Sequence, residues 1–452
     1  MCNSGDIKKK NILSGIWLLL VFCIIHILVV PDYGDDVKFV KIMERYGYNI
    51  FQVLYHRYNT WSSRIFIEFF DFIVPCFPVY IWKVSDIIFC LLLWRMSLVY
   101  IKDGFLSALC LLAYPFFHMG SAGWQVTTVV YLWTFVVWLA VVSGIKSDKK
   151  GILCIVAGTA VATNMEVLAV IHILVSGMWL FYLVCFQDNK VFLKPHGSIP
   201  GYIKDRLNKN PVMKKLSVSL VVALLNLLNA LLCPGNSIRK IKGASKEFPA
   251  FFETSFWDRL RICIASTIEH FTSVPDAIFI TISVMAGVLC YQRVKGYKRY
   301  IGFVPAIICT ALTIYFFITR IIKTHTVSYL RPDVAACTGS TEYIMQWVMV
   351  AFGIIYLAAM LWSLVCCCDG LEERYLVAGV YCIGLIGRFV LLFSPTMVAS
   401  GTRVYFYFYM SMVFCIGRLM GKVKNKKITN FLLLVLLSGV VMNVLVIAIK
   451  GH

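Results

Sequence analysis

The chain has 452 residues, of which 60% are hydrophobic and 15% charged, and its 43 Lys and Arg outweigh 23 Asp and Glu to give a formal charge of +20. A soluble domain carries about 25% charged residues, so this composition excludes a water-soluble globular enzyme. Long unbroken apolar runs, rather than short alternating ones, exclude a transmembrane β-barrel as well and leave an all-α polytopic bundle.

The first apolar run, 12–30, follows Lys8, Lys9 and Lys10 and is long enough to cross a bilayer. Its far end, Pro31-Asp32-Tyr33-Gly34-Asp35-Asp36, lacks the small-residue pair of a signal-peptidase site, so the run reads as an uncleaved anchor. Residues 31–64 then form a first extracytoplasmic loop. Within it, 37–46 and 51–58 mix apolar and charged residues at helical spacing, which predicts amphipathic helices lying on the outer membrane surface. Residues 65–82 are apolar but contain Glu68, Asp71, Pro75 and Pro78, which suits an interfacial helix better than a crossing one. Further spans are expected at 83–101, 105–119, 126–145, 152–163, 165–186, 216–233, 276–291, 301–318, 343–365, 375–393, 403–420 and 428–449, for a total of about thirteen in a range of roughly 12–14.

Short loops rich in Lys and Arg stay in the cytoplasm. With Lys8–Lys10 inside and 65–82 not crossing, Lys146, Lys149 and Lys150, the basic linker 187–215, Arg293 to Arg299 and Arg418 to Lys427 all fall on the cytoplasmic side. The positive charge is therefore a topology signal, and its natural partner is anionic membrane lipid, not nucleic acid. The 17 cysteines lie mostly in apolar runs, where a thiol packs as a small hydrophobe, and no CxxC or His/Cys metal spacing occurs. Cys366-Cys367-Cys368 reads as interfacial packing. With no repeat of fixed period, 1–452 reads as one membrane domain.

On this topology the unusual polar residues fall on the outer side. Asp35 and Asp36, in a loop that also holds His56, Arg57, Trp61 and Arg64, have the chemistry of a general base for a hydroxyl nucleophile or of a divalent-cation site. Locally a turn and helix cap is the simpler reading of the pair. Glu166, in Thr163-Asn164-Met165-Glu166, needs a cavity or a cationic partner, unless the motif is only a hairpin turn capped by Asn164. Pro234-Gly235-Asn236 with Arg239 offers free backbone N–H groups and a planar fork for phosphate oxygens, although the tripeptide is also an everyday loop. Arg403, after Ser394-Pro395-Thr396, starts a span where it meets an anionic headgroup or snorkels. Tyr405, Tyr407 and Tyr409 follow in the manner of an interfacial aromatic belt.

Taken in order, Gly34-Asp35-Asp36, Tyr58-Asn59-Thr60-Trp61-Ser62-Ser63-Arg64, Asn164-Met165-Glu166, Pro234-Gly235-Asn236 with Arg239, and Ser394-Pro395 with Arg403 resemble the GT-C superfamily of integral-membrane glycosyltransferases. The chain looks closest to a bacterial family of multi-spanning proteins related to the O-antigen glucosyltransferases. Many related sequences have Gly where this one has Ser63. The resemblance implies a GT-C-like fold in the bacterial cytoplasmic membrane and a polyprenyl-phosphate-linked sugar as donor. The acceptor would be a cell-envelope glycan or lipid on the outer face. By the same resemblance Asp35 or Asp36, with Asp36 preferred, would deprotonate the acceptor hydroxyl, and Arg64, Arg239 and Arg403 would hold the donor phosphate. Trp61, Glu166 and Asn236 would line the substrate site. No cofactor is implied with certainty; a divalent cation, if one binds, would sit on Asp35 and Asp36. A lipid-linked glycan flippase and a catalytically inert envelope-assembly protein are the competing readings; the first would show broken helices in two related halves, the second would lack the acid.

Overall fold

The structure is a computed structural model and describes residues 4–147, 151–185, 210–321, 341–397 and 399–450. Among these every regular element is helical. Nine helices are long and apolar enough to cross a membrane, and ten if the bent pair Phe256–Thr272 and Ala277–Arg293 counts as one span. Large apolar side chains such as Leu20, Ile27, Leu231 and Leu434 stand exposed along these helices, as expected where the surrounding solvent is hydrocarbon. The chain is a multi-pass membrane protein.

Among the described residues the other expected spans fall short of that length and apolarity, for a physical reason. Gly104–Ala113 and Ile152–Ala162 are 10 and 11 residues long, about half of a bilayer core at 1.5 Å per residue. The 19-residue helix Val79–Ser97 carries Lys83, Asp86 and Arg95 and is less apolar than the others. The run 65–82 is split, as its prolines and acids predict, into a nine-residue helix Ile65–Ile73 and a 3₁₀ turn Val74–Cys76. The basic linker 187–215 lies largely outside the described residues.

The described chain groups into two compact units. The first comprises residues 1–33, 97–124 and 240–452. Here the last helix, Lys426–Lys450, packs on the short Gly104–Ala113 helix, whose terminal carbonyls need partners other than its own next turn. Asn443 supplies them, donating from Nδ2 to Leu112 O at 2.8 Å and to Tyr114 O.

The second unit comprises residues 34–96 and 125–239. Its spans are Trp124–Lys146, Glu166–Val184 and Pro211–Leu232. The beginnings of the first two and the end of the third meet the polar segment 34–73. At the opposite end Lys215 Nζ donates to Ser147 O at 2.6 Å, and Lys146 lies 5.2 Å from the Trp179 ring. Lys146 and Lys215 thus lie at the end of this unit opposite the polar segment.

The two amphipathic helices expected after the first span are present as Asp35–Arg45 and Ile50–Thr60. Gly34 starts the first with φ at 63°, a left-handed conformation that a side chain would disfavour. Asp36, Phe39 and Met43 on one helix, and Val53, Leu54 and Arg57 on the other, form the buried faces.

Candidate functional site

The polar segment is held together by a dry ion pair. Arg57 donates from Nε to Glu68 Oε2 at 3.0 Å and from Nη2 to Oε1 at 2.8 Å. The two side chains are only 9% and 6% exposed. Phe39 and Phe72 stack with centroids 4.4 Å apart, and the Arg57 guanidinium lies within 5.3–5.4 Å of their rings and of Trp61. A buried charge persists only when it is paired, and here the pair is closed by two hydrogen bonds. It ties the two surface helices to Ile65–Ile73. Trp61 is half-buried against Arg57, with Lys38 Nζ 5.7 Å from its ring.

A second cluster opens beside it. Glu166 begins its span and receives Arg64, whose Nε donates to Oε2 at 2.7 Å and whose Nη2 lies 2.6 Å from the same oxygen. Arg239 reaches the other oxygen, Nη2 to Oε1, at 3.4 Å. The three side chains are 23%, 18% and 28% exposed. Burial pulls the Arg64 guanidinium down, but the Glu166 carboxylate outweighs it and holds Arg64 above its ordinary range. Burial, reinforced by repulsion from Arg64, leaves Arg239 below its ordinary value despite Glu166. Two cations on one anion leave one positive charge over.

Local structure explains the convergence. Asn164 is a cap, as one of its sequence readings held, but for a different helix: its Oδ1 accepts the N–H groups of Phe66 and Ile67 at 2.9 and 3.4 Å, and its Nδ2 donates to Ser63 O. That fixes the start of Ile65–Ile73 against the Glu166 span and delivers Arg64. Pro234-Gly235-Asn236 is not a loop but the first turn of the helix Pro234–Glu247, with proline at the position where its missing N–H costs nothing. A Cβ on Gly235 would lie 2.4 Å from Trp61 N and 2.5 Å from Tyr58 O, so only glycine lets this turn close on the end of Ile50–Thr60. Asn236 Nδ2 donates to Ser63 Oγ at 3.0 Å and to Ala230 O at 2.7 Å, while its Oδ1 has no partner among the described residues. Arg239 follows one turn later.

The two aspartates separate. Asp36 is buried, and both its oxygens are taken: Oδ2 accepts Gln125 N–H at 3.1 Å and Oδ1 accepts Val126 N–H at 3.0 Å. It caps the helix that starts at Trp124, where a carboxylate also meets the positive end of the helix dipole. Asp35 is half-exposed, 3.6 Å from Lys38 Nζ. The pair therefore does not fit the divalent-cation expectation, since one carboxylate is saturated by N–H donors and the other faces an ammonium. Among the described residues no group of three or more His, Cys, Asp or Glu is placed to hold a metal ion.

Asp71 was weighed in the sequence only as a sign that its segment does not cross. It is buried on the same helix face as Glu68, and its Oδ1 has no hydrogen-bond partner among the described residues. Burial, and then the charge of Glu68, push it well above its ordinary value against the pull of Arg64 and Arg57. Its apolar flanks, Phe70, Phe72 and Ile73, hid this carboxyl in a run that reads as hydrophobic. Arg403 belongs to the other unit, in the 3₁₀ turn Thr402–Tyr405, half-buried and without an ion pair among the described residues.

The geometry defines an all-helical multi-pass membrane protein with a basic, half-open ion cluster at one end of three spans. No family model, no curated protein and no solved structure matches the chain.

Proposed function

We propose that the protein is a GT-C-type membrane glycosyltransferase that moves a sugar from a polyprenyl-phosphate-linked donor to a cell-envelope acceptor. The observation that carries this reading is the excess guanidinium of the Arg64–Glu166–Arg239 cluster, set beside the polar segment that follows the first span. A phosphate oxygen competes for Arg239, whose contact to Glu166 is the longer one, and Arg64 remains to complete the cradle. In the displacement, the acceptor O–H proton passes to a carboxylate, the acceptor oxygen bonds to the anomeric carbon, and the bond from that carbon to the phosphate oxygen breaks. The lipid phosphate leaves with the negative charge that the arginines meet. The exposed Asp35 is the base in this scheme and Asp36 the anchor of its helix, a reversal of their expected order that follows from the N–H groups on Asp36.

The test is transfer of labelled sugar from a polyprenyl-phosphate donor in reconstituted membranes. Asp35→Asn keeps size and removes proton affinity, so transfer drops by about 10²–10⁴-fold at unchanged thermal stability. Asp36→Asn has one acceptor oxygen for two N–H groups and lowers stability by roughly 0.5–2 kcal/mol. Full transfer by Asp35→Asn, or lipid translocation without glycosyl transfer by the parent protein, overturns the reading.

A further inference from the structure

The first unit holds a polar cluster of its own where helices Phe256–Thr272 and Ala277–Arg293 meet at 93°. Asp276 caps the second helix, its Oδ1 accepting Phe279 N–H at 2.8 Å, and its Oδ2 accepts the Tyr409 hydroxyl at 2.7 Å. Tyr409 Oη lies 3.2 Å from His270 Nε2. Tyr409 has one proton and gives it to Asp276, so His270 must donate its Nε2–H, which makes Nδ1 the bare acceptor nitrogen. The imidazole stacks flat on Tyr405, centroids 3.8 Å apart, and the Arg388 guanidinium lies 4.6 Å from that ring. Next to His270, with ring centroids 5.1 Å apart, stands His118. It is 6% exposed, and its Nδ1 finds no hydrogen-bond partner among the described residues. Burial pushes His118 down to about 3, so it is a neutral imidazole at physiological pH. Buried polar atoms are seldom left without a partner, and broken helices in membrane proteins are a common place for a ligand.

We propose that this helix break is a hydroxyl-binding site, in which an alcohol O–H is held between His270 and His118. A hydroxyl both donates and accepts, so one such group satisfies the bare His270 Nδ1 with its proton and, with His118 as its Nδ1–H tautomer, the orphaned His118 donor with its oxygen. The chain from His270 through Tyr409 to the Asp276 carboxylate polarises the imidazole and strengthens its grip on the ligand proton. Arg388 beside Tyr405 disfavours a cation, and a neutral O–H group that donates and accepts matches the two nitrogens, which is the chemistry of an alcohol. The ligand comes from water as a sugar or from the bilayer as a hydroxylated headgroup. This site stands on the first unit alone and does not depend on the glycosyltransferase reading.

The experiment is nitrogen NMR of the full-length protein in phosphatidylcholine nanodiscs with ¹⁵N-imidazole histidine. Resonances are assigned by their loss in His118→Phe and His270→Gln. The probes are methyl α-D-glucopyranoside in the buffer and, separately, phosphatidylglycerol in the disc. The expected result is a saturable shift of both imidazoles with one probe, and the responding probe identifies the source. Tyr409→Phe keeps the ring packing but cuts the relay, and weakens that binding on the order of tenfold. No response to either probe, or undiminished affinity in Tyr409→Phe, overturns the proposal.

Discussion

Two arginine–glutamate contacts in the second unit, 11 and 102 residues apart in sequence, have opposite designs. Arg57 and Glu68 match one cation to one anion through two hydrogen bonds, under three aromatic rings. Glu166 is shared by two arginines at unequal distances and stays open to its surroundings. The first arrangement is a closed one-to-one pair and serves as scaffold. The second keeps a charge and hydrogen-bond donors in hand, as a binding site must. Satisfaction, rather than the mere presence of charge, separates structure from function here.

Three substitutions bear on that contrast. The largest effect is expected for Arg57→Leu, which strands Glu68 among aromatic rings and costs about 3–5 kcal/mol of folding stability, read as a loss of thermal midpoint in detergent. Stability close to that of the parent would mean that the dry pair is not the scaffold. Asp71→Asn comes next. A native carboxyl raised above its ordinary 3.8 keeps a proton that the unfolded chain has lost. Native stability therefore falls as pH rises above that value until the native group itself ionises, and it is restored at low pH. The Asn variant escapes this and gains up to about 1.4 kcal/mol per pH unit over that window. A midpoint difference independent of pH would show that Asp71 ionises normally in the folded protein. Lys38→Ala removes a solvent-facing partner of Asp35 and a cation near the Trp61 ring and should leave stability within roughly 0–1 kcal/mol of the parent. A larger loss would make that surface contact part of the scaffold.

Much of the fold was legible because hydrocarbon imposes a simple rule on sequence. Each of the nine helices long enough to cross answers to a segment whose apolar length announced it. The surplus came from segments such as 105–119 and 152–163, where Pro115 and the Thr163-Asn164 turn cut the helix to half a bilayer. The site was legible as a set of polar breaks but not as contacts. Arg64 was visible as a basic residue in the first loop, yet nothing local says that it reaches Glu166. Gly235 looked like a turn former, whereas its role is to admit a neighbouring backbone. The cap that Asp36 provides for a helix 89 residues on leaves no local trace in the sequence. His118 and His270 were missed because isolated histidines in apolar surroundings carry no spacing signal, and only the bend between two helices joins them.

The Asp36 cap also has a consequence for how the chain is made. Its N–H partners at Gln125 and Val126 follow it by 89 and 90 residues, which at ribosomal speeds amounts to roughly 5–20 s. Throughout that interval these two contacts cannot form, so this tie between the Asp35–Arg45 helix and the span beginning at Trp124 is made only once that span has been synthesised. Biogenesis of this unit is thereby given an order, in which a helix translated early waits for a contact translated later.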